Sequence, residues 1–252
     1  MEPNNSFTLL DKYQIPVVEA SHGYHLVLAS PGCGKTHILA ERIRYAREKG
    51  VRYGDMLCLT FTNRAAREMT NRIQKVVGGD STELMVGNVH RFCSKFLFEQ
   101  DKIPADSAII DDEEAVSIIA DYRNEDEEGV TRDFNRYKGY QTIIFFQHFI
   151  YQMEHQHPWK FYLHPESFTD DDREAIKQIC KSQKREYNEQ AVIDIYHHAQ
   201  QYMDEANVPG LDAKTADRIR VLLWKMYYAG CYAQYKEENH LLDFEDLLLK
   251  TY

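Results

Sequence analysis

Leu26-Val-Leu-Ala-Ser-Pro-Gly-Cys-Gly-Lys-Thr36 is a short apolar run that breaks into a Gly-rich turn and ends in Lys-Thr. Such a turn is a phosphate-binding loop when a strand feeds it and a helix leaves it. Both contexts are legible. His25–Ala29 is an apolar run of strand type, and Ile38, Ile43 and Tyr45 begin a helical pattern with no Gly or Pro before Gly50. Gly32 and Gly34 let successive backbone N–H groups converge on an anion, and Lys35 adds a mobile positive charge for the β- and γ-phosphates. Thr36 offers a hydroxyl to Mg²⁺, and the helix behind it turns its positive end toward the phosphates. The general pattern has Gly in the first position of the loop; here that position is Ala29.

Outward from the loop, Met56–Phe61 is a second strand candidate. Thr62 and Asn63 follow as a plausible N-cap for a helix over 64–77, which Gly78-Gly79 ends. Leu84–Val89 is a third strand candidate, and Arg91–Gln100 reads as a helix closed by Pro104. Strand and helix alternating with short connections predict an α/β fold with a parallel sheet covered by helices. Function in such a sheet gathers at the carboxyl ends of the strands.

The rhythm changes near Ala105. From there to about Ala216 the pattern is mostly helical, with acidic clusters at Asp111–Glu114, Glu125–Glu128 and Asp170–Asp172 and aromatic residues concentrated between Tyr137 and Tyr162. Thr142–Met153 is apolar at helical spacing, so its aromatics read as core. His155, His157 and His164 lie close in sequence, but Pro158 and Pro165 break any single helical face, which argues against a metal site. A further helical stretch, Ala213–Glu238, leads to Leu241-Leu-Asp-Phe-Glu-Asp-Leu-Leu-Leu249.

With 252 residues the chain suffices for one large or two modest domains. Its five cysteines form no C-x-x-C pair, no signal peptide or membrane-length apolar stretch is present, and a cytoplasmic location is expected. The net charge of −10 argues at first against a nucleic-acid partner. The distribution reverses that argument. Residues 35–75 carry ten Lys/Arg against four Asp/Glu, whereas residues 105–175 carry six against seventeen, and it is the local field that steers a polyanion.

On these residues the chain resembles the N-terminal part of a UvrD/Rep-type superfamily 1 DNA helicase. Leu10-Asp-Lys-Tyr-Gln14 with Val17-Val18 is similar to the Q motif, and Ala29-x-x-Gly32-x-Gly34-Lys35-Thr36 to a motif I that begins with Ala. Leu59-Thr-Phe-Thr-Asn-Arg-Ala-Ala-Arg-Glu-Met69 resembles motif Ia, and Gly87-Asn-Val-His-Arg-Phe-Cys93 the next DNA-contacting motif. Leu242-Asp-Phe-Glu-Asp-Leu-Leu248 is similar to the element that precedes motif II, and Ala108-Ile-Ile-Asp-Asp112 to the point where helical domain 1B is inserted.

The resemblance implies a RecA-like P-loop sheet flanked by helices, domain 1A, over residues 1–104. It further implies a mostly helical insertion, domain 1B, over 105–216, and a return into domain 1A over 217–252. ATP and Mg²⁺ are the implied cofactors and single-stranded DNA the implied partner. Gln14, Ala29, Ser30, Pro31, Gly32, Cys33, Gly34, Lys35, Thr36 and His37 would form the nucleotide site, with Lys35 and Thr36 in the catalytic role and Thr36 on the metal. Phe61, Thr62, Asn63, Arg64, His90 and Arg91 would contact DNA. An amide such as Gln14 can satisfy a donor and an acceptor on adenine together. A base can stack on Phe61 whatever its identity, and the residues at the two helix starts suit phosphates.

Two positions depart from the family pattern: His37 stands where Arg is frequent, and Val89 where an aromatic is common. Motif II, whose acidic pair supports hydrolysis, and the second RecA-like domain do not occur in the sequence, so the 252 residues alone are expected to bind ATP without efficient turnover. A part of a longer 3′→5′ helicase, or one half of a split helicase whose other half is a separate chain, is the reading this favours. A hydrolysis-dead module that holds ATP and single-stranded DNA is the alternative, separated by DNA-stimulated ATP turnover. A P-loop kinase or other NTPase unrelated to DNA would show no salt-dependent binding to oligonucleotides.

Overall fold

The computed structural model describes residues 10–78, 81–158, 164–205 and 211–252. They form two compact units, one ending at Lys95 and the other beginning at Phe96.

The first unit opens with α1 (Ile15–Glu19), continues through the Gly-rich loop into α2 (Lys35–Glu48), and then alternates β1 (Leu57–Leu59), α3 (Asn63–Val77), β2 (Met85–Gly87) and the start of α4 (Val89–Glu99). β1 and β2 pair in parallel with Cys58 opposite Val86, as the strand–helix–strand rhythm requires. α3 forms where expected because Thr62 caps it, its Oγ1 accepting from Ala65 N at 3.1 Å, and the helix ends at Gly78. Ala66, Met69 and Ile73 fall on one face and are buried. Met69 and Ile73 join Ala40 of α2, Cys58 of β1 and Leu84 in a small core. β1 turns Cys58 into that core and leaves Leu57 and Leu59 substantially exposed on its other side.

One expected strand does not form. Residues 25–29 take no strand conformation, and Leu26 and Leu28 are each 86% exposed. A strand apolar on both faces needs hydrogen-bonded neighbours and cover on both sides, and among the described residues β1 is paired only with β2.

The second unit is helical around two long rods. Its elements are β3 (Ala108–Ile109), α5 (Asp112–Tyr122), α6 (Glu127–Arg132), α7 (Phe134–Glu154), α8 (Asp170–Ser182), α9 (Glu189–His197), α10 (Ala199–Glu205), α11 (Ala213–Glu238), β4 (Leu241–Leu242) and α12 (Phe244–Thr251). α11 runs without a break across residues 216 and 217. It packs on α7, α8, α5 and α10. The core they share includes Tyr140, Phe146, Phe149, Leu222, Leu223, Met226 and Tyr232, so the α7 aromatics described here are packing residues. β3 and β4 form a second short parallel pair, Ala108 opposite Leu241.

The acidic clusters have a local cause. Asp111 caps α5 in a capping box closed by Glu114, Asp126 caps α6, and Thr169 caps α8 with Asp172 reaching back. Acidic residues at these positions satisfy free N–H groups and complement the positive helix end. Part of the acidic aromatic stretch, residues 159–163, lies outside the described residues. No described helix is long and apolar enough to cross a membrane.

Candidate nucleotide and nucleic-acid interface

The Gly-rich loop before α2 keeps its conformation through its glycines. Gly32 and Gly34 take φ of +84° and +73°, a region that L side chains rarely adopt, and Gly34 is the N-terminal boundary of α2. No side chain caps α2, and its first backbone bond runs from Ile38 N to Gly34 O at 3.0 Å. The preceding N–H groups of the helix start are therefore the donors that an anion would receive. Lys35 reaches back across the loop, its Nζ donating to the carbonyls of Ala29 at 2.8 Å and Ser30 at 2.7 Å. Pro31, Gly32 and Cys33 form the exposed crest of the turn, while Thr36 and His37 are half-buried at the helix start.

Gln14 sits over this loop. Its Nε2 lies 3.4 Å from Cys33 O, and its Oε1 accepts from Asp11 N at 3.1 Å, which orients the amide. α1 is held to α2 by Arg42, whose guanidinium donates to Val17 O at 2.8 Å and Val18 O at 3.3 Å. The sequence reading missed Arg42, because nothing local marks a residue whose partners lie in another helix.

The residues expected to meet DNA gather at the carboxyl ends of β1 and β2. Phe61 is fully exposed at the end of β1. Thr62 serves as the α3 cap, Asn63 opens α3, and Arg64 is exposed and pairs with Glu68 at 3.2 Å. Asn88 plays the corresponding part for α4, its Oδ1 accepting from Arg91 N at 2.8 Å. Asn88 also donates from Nδ2 to Asn63 Oδ1 at 3.1 Å, which brings the two helix starts together. Asn88 escaped the sequence reading; an Asn directly before a helical run was the available signal. His90 is half-buried and Arg91 exposed on the first turn of α4. Arg91 leans over Gly87, where an added Cβ would lie 3.2 Å from Arg91 Cδ.

The second unit holds a different polar centre. Asp243 Oδ2 accepts from His148 Nε2 at 2.8 Å, Lys236 Nζ at 2.9 Å and Tyr232 OH at 2.6 Å. Lys236 also reaches Asp246 at 2.6 Å. Burial works to raise the Asp243 pKa, but the His148 and Lys236 charges and these hydrogen bonds hold it well below the usual carboxylate range. Tyr232 is pushed up, chiefly by burial. Among the described residues His148, Asp243 and Glu245 are the group whose ligand atoms approach closely enough for a metal. The Lys236 ammonium already neutralises that centre, so the geometry describes an ion-paired hub joining α7, α11 and α12. His155 instead bonds the Tyr151 carbonyl at 2.9 Å, and His164 pairs with Glu245 at 3.1 Å.

The family description "UvrD/REP helicase N-terminal domain" matches residues 10–252. The ATP-dependent DNA helicase PcrA of Staphylococcus aureus is 38% identical over 112 residues, which is 43% of this chain and 15% of that protein. PcrA of Bacillus subtilis is 32% identical over 120 residues, 46% of this chain and 16% of that protein. The ATP-dependent DNA helicase srs2 of Schizosaccharomyces pombe is 34% identical over 105 residues, 40% of this chain and 12% of that protein. The matched stretches thus cover 12–16% of these curated relatives.

Proposed function

This chain belongs to the UvrD/REP helicase N-terminal domain family, and from that premise we propose that it is the ATP- and single-stranded-DNA-binding portion of an ATP-dependent DNA helicase or translocase moving 3′→5′. The observation that carries the proposal is the loop itself: two glycines at positive φ, a helix start that no side chain caps, and Lys35 laid across the mouth on two carbonyls. In this reading an incoming triphosphate draws the ammonium off Ala29 and Ser30 and takes the free N–H groups of α2. The Gln14 amide, already oriented by Asp11, meets the adenine edge. Thr36 makes no side-chain hydrogen bond among the described residues, which suits a hydroxyl that would hold Mg²⁺. When bound, the ion would neutralise phosphate charge.

Single-stranded DNA would cross the ends of β1 and β2, one base stacking on Phe61 and phosphates lying against the Asn63–Asn88 junction and Arg91. Domain 1A would comprise residues 1–104 and 217–252, and domain 1B residues 105–216. The exposed Leu26 and Leu28 mark the edge that we assign to a further strand of the complete helicase, either in a longer chain or in a separate partner.

Equilibrium binding of a fluorescent ATP analogue with Mg²⁺ tests the nucleotide site. Lys35→Ala is expected to weaken binding at least tenfold, and undiminished affinity in that variant ends the proposal.

A further inference from the structure

We propose that Arg42 is a positioning residue for base selection. By tying α1 to α2 it fixes the Gln14 amide relative to the Gly-rich loop, so a side chain that touches neither base nor phosphate sets the preference for adenine over guanine nucleotides. The assignment rests on the adenine contact proposed for Gln14 above and extends it to a residue outside the motifs quoted from the sequence.

Helix α1 cannot set its own position. Its five residues are too few for a helix to persist alone in water, and no side chain caps its start. Val17 and Val18 stand in its last turn, where carbonyls lack partners within a helix. Arg42 supplies the donor: one Nη1 reaches Val17 O at 2.8 Å and Val18 O at 3.3 Å, and its charge suits that end of a helix. Among the described residues the guanidinium has no other hydrogen-bond partner or ion pair. Arg44 shows the ordinary case, since its partners Glu41 and Glu48 lie on its own helix.

Orientation needs two points of attachment. At one end of α1, Gln14 Nε2 lies 3.4 Å from Cys33 O, a contact too long to hold a helix by itself. Arg42 provides the other, one turn further on. Lys35, Ile38 and Arg42 recur at helical spacing and so share one face of α2, with Arg42 about 10 Å along the axis from Lys35. Helix α2 therefore spaces the phosphate end of the site from the anchor of α1, and the two helices pack together with Val18 and Ile38 buried. Beyond its bonds to Cys33 O and Asp11 N, the Gln14 amide keeps one N–H and one acceptor position. That pair matches N7 and the N6 amine of adenine, whereas guanine presents two acceptors, N7 and O6. An α1 free to pivot on Cys33 would leave phosphate binding intact and lose the match to the base.

The test is competition of ATP, GTP and tripolyphosphate, each with Mg²⁺, against a fluorescent ATP analogue on the full chain and on Arg42→Met, Arg42→Lys and Gln14→Ala. Methionine keeps an apolar stem and drops the donors. The parent is expected to prefer ATP over GTP roughly tenfold, and Arg42→Met to bring that ratio within about twofold while its tripolyphosphate affinity is unchanged. Arg42→Lys, which retains an ammonium, should recover part of the preference. If Gln14→Ala loses the preference and Arg42→Met keeps it, the positioning role is overturned and the adenine reading stands. If Arg42→Met weakens all three ligands equally, Arg42 supports the fold alone and the positioning role is again overturned. If the parent does not distinguish ATP from GTP, both readings fall together.

Discussion

Replacing Lys236 by Met removes the ammonium on which the hub of the second unit depends. Its Nζ donates to Asp243, Asp246 and Gln147 at 2.9, 2.6 and 3.1 Å. The side chain is 6% exposed, and the two carboxylates are 5% and 8% exposed. Without it, the two buried carboxylates keep only His148, the Tyr232 hydroxyl and backbone N–H groups of the α12 cap. Breaking a buried pair from one side costs about 3–5 kcal/mol, because the remaining charge keeps its desolvation cost without its partner. Set against a typical total of about 5–15 kcal/mol, that loss is large. Urea unfolding followed by circular dichroism at pH 7.5 should show the midpoint falling by roughly 1.5–2.5 M, for an ordinary dependence of about 2 kcal/mol per molar. The double variant Lys236→Met/Asp246→Asn, which removes one charge of each sign, should recover part of the loss. The pH dependence supplies a second reading. The folded pKa of Asp243 is depressed, so its contribution is present above the unfolded value of about 3.9 and is lost as pH falls through the depressed value. In Lys236→Met the carboxylate titrates higher, so stability should begin to fall at a higher pH than in the parent. A destabilisation under about 1 kcal/mol, with no change in the pH profile, would refute the reasoning.

Three further outcomes follow from the geometry. Gly34→Ala has room, since the new Cβ would lie 3.6 Å from Gln14 Nε2, but φ of +73° costs an L residue about 1–2 kcal/mol. ATP-analogue affinity should therefore drop roughly tenfold as the loop amides turn away, and affinity within twofold of the parent would contradict this. Thr62→Ala removes the α3 cap and should cost about 1 kcal/mol in urea unfolding, whereas Thr62→Ser should be near neutral. His164→Asn tolerates the φ of +50° but removes the partner of Glu245 and the stack on Phe145. The hydrogen bond to Glu245 raises the His164 pKa, so that contribution is full below about 6.5 and lost as pH rises through the folded value. Burial works against it, yet the same pair lowers the Glu245 pKa, so its share is present above about 4.3 and lost at lower pH. The stability difference between parent and variant should thus peak between about pH 4.5 and 6.5 above a constant loss from stacking, and a difference flat across pH 4–9 would exclude the ion pair.

The glycine turn before α2, the cap and apolar face of α3, and the contrast between a basic stretch and an acidic helical one were all legible in the residues. Each depends on chemistry within a few positions: glycines that permit positive φ, Thr62 three residues before the N–H it accepts, apolar side chains at helical intervals. The acidic clusters were legible as composition but not as caps, since that role depends on where each helix starts.

What only the tertiary structure decided involves partners distant in the chain. Asn88 meets Asn63 across 25 positions, and His148 meets Asp243 across 95. No local pattern encodes such a pairing, because it follows from which elements pack together. Residues 25–29 show the converse: their composition is that of a strand, but a strand is a relation between neighbours, and the described residues bring none alongside. Propensity and turn chemistry are properties of the sequence, whereas ladder pairing and buried charge compensation come into being only when separate segments meet.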